Sequence, residues 1–368
     1  MSQSVSTCEA PVYQPLVDSI RGRVRRGALR PGQQIGSEIG LMRQTGLSRN
    51  SVRRAVQTLM GEGLVERRPG KGVFVRPPNV TTRTVEVVVP GLESQLVVGI
   101  AAGVRAVGRE RGVRVRIHDC HGDMDHEVEQ VRLLAHSGAN GAVIVALPHE
   151  RFAEAVYQLK SERFAFVVVD EPIWGLPTAT VMSDNYGGGY AVGKALTHQG
   201  HRRIGFIGNL TGGIAAQRRL EGLIHAVNDA GIAFDRSLVA DLNVPPLADW
   251  SEAIERETRR LMLLAERPTA LFFVCDAAAA VAYRTLRSMN LHIGRDVSVV
   301  GYDDDPICEL LDPPLATVRQ PSQEIGRAAA DCLMQMIDAV GSRSRAAGDN
   351  HQQLPVKFVH RDSLGPCV

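Results

Sequence analysis

Between residues 13 and 75 the apolar positions first keep helical spacing, then alternate. Val17, Ile20 and Val24 of YQPLVDSIRGRVRR (13–26) share one helical face, with arginines opposite. Gly27 and the Pro31-Gly32 pair close that helix. Ser37-Glu38 supplies a capping hydroxyl and a first-turn acid to a second helix, which runs through Leu41 and stops at Gly46. Ser48 caps a third, in which Val52, Ala55, Val56 and Leu59 stand at i, i+3, i+4 and i+7. Two strand-like runs, LVERR (64–68) and VFV (73–75), then flank the turn Pro69-Gly70-Lys71-Gly72.

From Val85 the pattern changes. Apolar runs of strand length, VEVVV (85–89), VRVRI (113–117), GAVIV (141–145), FVVVD (166–170), RIGFIG (203–208), ALFFV (270–274) and VSVVGYD (297–303), alternate with helical stretches at 97–111, 126–137, 152–160, 188–199, 217–230, 252–266 and 277–289. Continuous apolar strands are those buried on both faces, and repeated βα units predict parallel sheets with helices on both sides. Ligands of such sheets bind beyond the carboxyl ends of strands. Residues 91–93, Asp170, Cys275-Asp276 and Asp303 occupy those places. PPNVTTRT (77–84) reads as an extended linker. The divisions are thus a flexible N-terminus (1–11), a head (12–76), the linker (77–84) and a body (85–368).

The length of 368 residues agrees with two or three domains, and 44 % apolar with 22 % charged residues is globular composition. No apolar run approaches the ~18 residues of a membrane span. MSQSVSTCEA lacks the basic start and apolar stretch of a signal peptide. Six cysteines (Cys8, Cys120, Cys275, Cys308, Cys332, Cys367) stand far apart without a CxxC, the pattern of reduced thiols in a cytoplasmic protein. The net charge of +2 hides an asymmetry: residues 1–78 hold 13 Lys and Arg against 5 Asp and Glu, and the rest 29 against 35. A basic head on a mildly acidic body points the head at a polyanion.

The head's two short helices about LSRNS, the second opening on polar and arginine residues, have the layout of a helix-turn-helix that reads the major groove from the start of its second helix. Arginine can donate two hydrogen bonds to guanine, while Ser and Asn reach phosphates or adenine. The glycine turn would set Lys71 against a phosphate or the minor groove. The pattern PG…SE…L…SR.SVR.A…L…GLV.R..GKG.FV over 13–75 resembles the DNA-binding domain of GntR-type regulators. That resemblance implies DNA-facing positions for Ser48, Arg49, Asn50, Ser51, Arg53 and Gly70; Ser37 and Lys71 complete the candidate set. Ile39 departs from the family, which usually has a DNA-binding arginine there. For Arg54, solvent or an intrahelical pair is as good a reading as DNA.

The body resembles the effector domain of LacI/GalR regulators, which shares its fold with periplasmic sugar-binding proteins. The stretches VMSDNYGGGYAVGKALTHQGHRRIGFIGN, RRLEGLIHAVNDAGI, RPTALFFVCDAAAAVAYRTLRSMNL, DVSVVGYDDDPICELLDPPLATVRQPSQEIGRAAADCL and LPVKFVHRDS carry it across about 85–363. A GntR-type head on a LacI-type body is the combination of arabinose-repressor-like regulators. The resemblance implies an α/β fold of two lobes with doubly wound parallel sheets. Lobe 1 spans about 85–183 plus a returning helix near 320–340, and lobe 2 about 184–316 plus a C-terminal strand. It also implies a homodimer on palindromic operator DNA and a small-molecule effector, a sugar or derivative. Arg219 and Asp303 fall where the family holds its effector, and their rigid donors and acceptor oxygens suit polyols. Asp170 matches a cleft position, and Glu93 and Asp276 follow strands nearby. Cys275 replaces a commonly found Asn by a weak hydrogen-bond partner. Trp174 reads either as a stacking surface for a ring or as a loop aromatic packed at the lobe edge.

Other features lead elsewhere only at first sight. His198 with His201, and His118, His121 and His126, lack the three or four converging ligands of a metal site. Asp303-Asp304-Asp305 comes without a phosphate loop, and Gly187-Gly188-Gly189 without GxGxxG spacing. Neither G-x-S-x-G nor HExxH occurs, so no catalytic residue, metal or cofactor is expected. A ligand-responsive repressor is the leading reading. A DNA binder with a degenerate sensor is the alternative, and a solute-binding transport component is opposed by the basic head and absent signal.

Overall fold

The structure, a computed structural model, describes residues 11–25, 28–30, 32–68, 71–75, 83–145, 150–173, 175–211, 213–245, 248–339 and 351–367. The N-terminal tail through residue 10 with Cys8, the turn residues Pro69 and Gly70, linker residues 77–82 and Trp174 lie outside the described residues. The chain forms two compact units, residues 1–82 and 83–368.

In the first unit, α1 (Gln14–Arg25), β1 (Gln34–Gly36), α2 (Glu38–Thr45), α3 (Arg49–Gly61), β2 (Val65–Arg68) and β3 (Gly72–Val75) follow in order. The helical stripe foreseen for α3 is the buried one: Val52, Ala55, Val56 and Leu59 pack with Val17, Ile20 and Leu41. Ser37 accepts from Gly40 N (3.0 Å) and Ser48 from Ser51 N (3.2 Å), so each hydroxyl satisfies an orphan amide of its helix. Gly46 ends α2 at φ +71, a conformation that costs a glycine little. β2 and β3 form the expected hairpin. β1, a three-residue strand without an alternating signature, adds to it in the order β1-β3-β2.

The second unit begins with β4 (Thr84–Val89), α4 (Gln95–Arg111), β5 (Arg114–Asp119), α5 (Met124–Leu133), β6 (Gly141–Val145), α6 (Glu150–Ser161), β7 (Phe166–Val169) and β8 (Thr180–Ser183). It continues through α7 (Asn185–His198), β9 (Ile204–Gly208), α8 (Ile214–Asp229), β10 (Val239–Asp241), α9 (Ser251–Met262), β11 (Ala270–Phe273), α10 (Asp276–Ser288), β12 (Ser298–Val300) and α11 (Ile307–Leu310). It closes with β13 (Thr317–Arg319), α12 (Ser322–Ala339), β14 (His351–Leu354) and β15 (Lys357–Val359). Two parallel sheets result, β14-β8-β7-β6-β4-β5 in lobe 1 and β10-β9-β11-β12 in lobe 2. β13 and β15 pair antiparallel as a ribbon. Each lobe is covered on both faces: Val85, Val87 and Val89 of β4 face α4 and α12, whereas Val88 joins Ile144, Val168 and Phe152 on the other side.

The chain crosses between lobes after β8, after β13 and after β14. The returning helix is α12. β14 was not foreseen, because HQQL is a polar, largely exposed edge strand with no apolar run to announce it. β8 and β10 were missed for their shortness. The stretch VSVVGYD is strand only over Ser298–Val300, and residues 301–303 already leave the sheet.

Two glycine seams hold the helices close. A Cβ at Gly103 would strike the backbone of Gln323, and one at Gly326 the backbone of Ile100, so α12 lies directly on α4. Likewise a Cβ at Gly189 would enter the Arg219 backbone, and one at Gly222 the Tyr186 carbonyl, which seats α8 against α7. Within the Gly187-Gly188-Gly189 run, Gly189 therefore serves helix contact, while a Cβ at Gly188 would meet the Tyr302 ring. Overpacking against backbone leaves little room to relax, so Gly222→Ala is expected to destabilise the protein by about 1–3 kcal/mol. Urea unfolding of the full chain checks this, and an unchanged midpoint would contradict the seam.

Candidate functional sites: a winged head and an interlobe cleft

The start of α3 is the most exposed basic surface among the head candidates. Arg49, Asn50, Arg53 and Arg54 are exposed, while Ser51 is half-buried with its hydroxyl 2.9 Å from that of Ser48. Ser48 and Ser37 are engaged as caps. Arg53 Nε lies 3.8 Å from Glu38, whose other oxygen meets Arg67. Glu38 thus orients two arginines at the rim of the helix-turn-helix, a role the sequence reading did not assign. Lys71 is exposed at the wing, and Gln34 Nε2 donates to its carbonyl (2.7 Å), bracing the tip from β1. Ile39, where the resemblance expects arginine, is 63 % exposed and offers no charge.

In the body, Arg219 projects inward from α8. Its neighbour Arg218 takes Glu221 (2.6 Å), leaving Arg219 buried with other partners. Its Nε donates to Asn185 Oδ1 (2.8 Å) and a terminal nitrogen to the Val274 carbonyl (2.5 Å). Its guanidinium carbon stands 3.6 Å from the Tyr302 ring centre. Burial works against this cation, but Tyr302, Asp303, Asp170 and Cys275 outweigh it and its pKa is raised. The structure thereby brings together four expected residues, three from beyond the ends of β7, β11 and β12 and one from α8. Asp303 accepts from Gln320 Nε2 (2.6 Å), and burial drives its pKa well above the carboxylate range despite Arg219. Asp170 is raised in the same way, and its Oδ1 is buried without a hydrogen-bond partner. Burial and the Asp303 charge push the Cys275 thiol up to about 12, so it stays protonated.

A cleft of about 430 Å³ opens here, lined in part by Asp170, Ser183, Asn185, Ala215, Arg218 and Gln353. That volume is in the range of small-molecule sites. Asp170 is the effector candidate among its lining residues, and Arg219 adjoins it through Asn185. Asp276 is fully buried, accepting from Thr317 Oγ1 (2.6 Å) and Asp305 N (2.8 Å). Its oxygens are thus spent inside lobe 2, one on β13 and the other on the loop that carries Asp303. Glu93 sits exposed between β4 and α4 beside Gly91 and is not among the charges acting on Arg219. The acidic triplet divides its work. Asp303 meets Gln320, Asp304 pairs with Arg319 (2.5 Å) and Arg361 (2.8 Å), and the Asp305 amide meets Asp276. His201 has both ring nitrogens occupied, by Thr269 Oγ1 (2.9 Å) and the Gly365 carbonyl (3.1 Å).

Four partners carry no signal in the sequence that singles them out: Asn185, Tyr302, Gln320 and Glu171. Tyr302 and Glu171 adjoin candidates in GYDDD and FVVVDE, but nothing in their spacing says which neighbour turns inward. Glu171 reaches from the end of β7 to α8, accepting from Ile214 N (2.8 Å) and Ala215 N (3.0 Å).

An exposed arginine-led helix beside a wing, and a two-lobed body with a charged cleft, define a DNA-binding transcription regulator with a small-molecule sensor. The chain carries a GntR-type head, residues 12–75 matching "Bacterial regulatory proteins, gntR family", and a body in which residues 194–364 match "Periplasmic binding protein-like domain". It is 28 % identical to the arabinose metabolism transcriptional repressor of Geobacillus stearothermophilus, over 89 % of this chain and 92 % of that protein. It is 29 % identical to the ribose operon repressor of Haemophilus influenzae, over 70 % and 75 %. Among solved structures it resembles the transcriptional regulator CelR–cellobiose complex, with 25 % identity, a TM-score of 0.66, and 96 % and 100 % of the two chains covered.

The buried carboxylates tie stability to pH. Burial and the neighbouring Asp170 leave Glu171 raised to about 7, with Ala215, Ile214 and Arg219 opposing the rise. Asp170, Asp276 and Asp303 are raised as well. Each holds a proton in the folded chain that the unfolded chain has already released, so stability falls as pH rises from the ordinary carboxylate range towards about 7. The melting temperature of the ligand-free protein is expected to be higher at pH ~5.5 than at pH ~8. A calorimetric series showing the opposite trend would contradict the burial of these groups.

Proposed function

We propose that the protein is a ligand-responsive repressor, acting in the cytoplasm as a homodimer on a palindromic operator. A sugar or related small polar molecule serves as its effector. The observation that carries this reading is the convergence of Asp170 from lobe 1 with Asp303 from lobe 2 about Arg219, next to the interlobe cleft that Asp170 and Asn185 line. Carboxylates accept from neighbouring hydroxyls, and a fixed guanidinium donates in a defined plane, which is how polyols are oriented. The relatives named for arabinose and ribose control, and the neighbour solved with cellobiose, support the same class of effector. Cys275 and the half-exposed rim contribute shape more than hydrogen bonding.

In the head, Arg49, Asn50 and Arg53 read base edges while Lys71 meets phosphate. Arg53→Ala is expected to weaken the operator by about 1–3 kcal/mol and to relax its sequence preference. Lys71→Ala lowers affinity evenly across sequences and reduces the salt slope by about one. Quantitative footprinting on the operator and on scrambled duplexes, at several salt concentrations, separates the two.

For the sensor, thermal-shift screening against sugars and nucleosides supplies a ligand, because binding to the folded state raises its stability. Arg219→Ala and Asp303→Asn should keep operator binding without ligand and lose the response to it. A coupling of about 1–3 kcal/mol makes that response roughly 5- to 150-fold in wild type. If both variants respond as wild type does, the effector site lies elsewhere.

A further inference from the structure

The two lobes meet through a carboxylate that neither the winged head nor the effector cluster accounts for. Glu171 stands two residues beyond β7 in lobe 1, yet its Oε2 and Oε1 accept from Ile214 N (2.8 Å) and Ala215 N (3.0 Å) at the start of α8 in lobe 2. It is only 8 % exposed. The approach is built on both sides. A Cβ at Gly213, the residue before α8, would collide with the Glu171 carboxylate, so a glycine is needed where the acid arrives. The first amides of a sixteen-residue helix, with its dipole, form the place in the cleft best suited to an anionic group. The protein has filled it with its own carboxyl group.

We infer that Glu171 is an interlobe latch that also sets the charge class of the effector: it fastens lobe 1 to α8 and denies those amides to a phosphate or carboxylate. This rests on the sensor reading above for its biological sense, but not for its geometry. The other groups on the cleft agree with it. Asp170 Oδ1 is buried without a partner, and Asp303 adds a second acid. The one buried cation among the described residues there, Arg219, already serves Asn185, the Val274 carbonyl and the Tyr302 ring. An entering ligand therefore meets surplus acceptors. Hydroxyl groups, or an amine, satisfy them, whereas an anionic group finds the helix amides taken and the inner cation already engaged, with only Arg218, paired to Glu221, at the cleft wall.

The latch is tested on the full chain with Glu171→Ala and, as a milder variant of nearly the same volume, Glu171→Gln. Hydrogen exchange in ligand-free protein is read by peptide. Loss of an interlobe latch speeds exchange by about tenfold or more at the start of α8, at 170–173 and at 302–304 together, because the lobes part. Faster exchange confined to 214–217 would overturn the latch and leave Glu171 a local helix cap. Thermal shift with inorganic phosphate, against chloride of equal ionic strength, reads the charge class. At about 10 mM phosphate wild type should not move, and Glu171→Ala should gain a saturable rise as the vacated amides take the ion. A rise in wild type, or none in the variant, would overturn the exclusion of anions. Operator binding by the same samples keeps the two readings apart: a wild-type protein that bound no DNA would end the repressor reading while leaving the latch result intact.

Discussion

A guanidinium taken out of water stays charged, so it must be met by acceptors that cannot drift away, and Arg219 places that demand on the whole second lobe. Three separate pieces answer it: Asn185 at the start of α7, the Val274 carbonyl where β11 ends, and the Tyr302 ring where β12 gives way to loop. Removing one partner of a buried charge costs several kcal/mol, in the range of about 3–5, because the remaining charge is stranded. A desolvated cation over an aromatic face recovers about 2 kcal/mol or more. The helices can supply these partners only because they touch. Gly189 and Gly222 let α7 and α8 approach to backbone contact, and Gly188 leaves the space that Tyr302 takes. The glycines, the tyrosine and the arginine are one arrangement, distributed over more than a hundred residues of chain.

Around that cation the backbone is bent into conformations that most residues avoid. Asp170 has φ +75, Asp303 +120 and Asp304 +62. Such conformations each cost about 1–3 kcal/mol and persist only where the surroundings overdetermine them. Here the surroundings do so. Asp304 is clamped by Arg319 and Arg361, and Asp276 holds the Asp305 amide, so the acidic turn has its shape before any ligand arrives. Two of the three acids in the triplet thus work to present the remaining one. The interior charges here are spent on geometry, and in the proposed sensor Asp170 and Asp303 are the acids left for recognition.

The sequence made some of this readable and hid the rest for physical reasons. The head's helices were legible because their stripes and capping serines are local signals, and those serines cap as expected. The long apolar runs likewise became the inner strands β4, β6, β7, β9 and β11. Short or polar elements escaped: β1, β8, β10 and β14 are placed by neighbours they pair with, and no periodicity can declare that. At the site, Arg219, Asp303, Asp170 and Cys275 converge, while Asp276 supports the loop and Glu93 stays on the surface. Strand ends identify a neighbourhood, but the direction of each side chain depends on tertiary contacts. That is why Glu171, the residue after a correctly suspected acid, went unnoticed although it spans the cleft.

Gln320 shows how a ligand could act on the lobes through so few connections. It lies at the crossover after β13, where it accepts from the Ser183 hydroxyl (2.5 Å) at the first crossover and donates to Asp303 (2.6 Å). One buried amide therefore ties two of the three chain crossings to an acid of the candidate effector site. A hydroxyl that approaches Asp303 must share its oxygen with Gln320 or displace it. Only a ligand that interacts differently with open and closed lobes can shift their balance. If the effector binds at Asp303 as proposed, competition with Gln320 supplies that difference, and recognition and lobe movement then share one hydrogen bond.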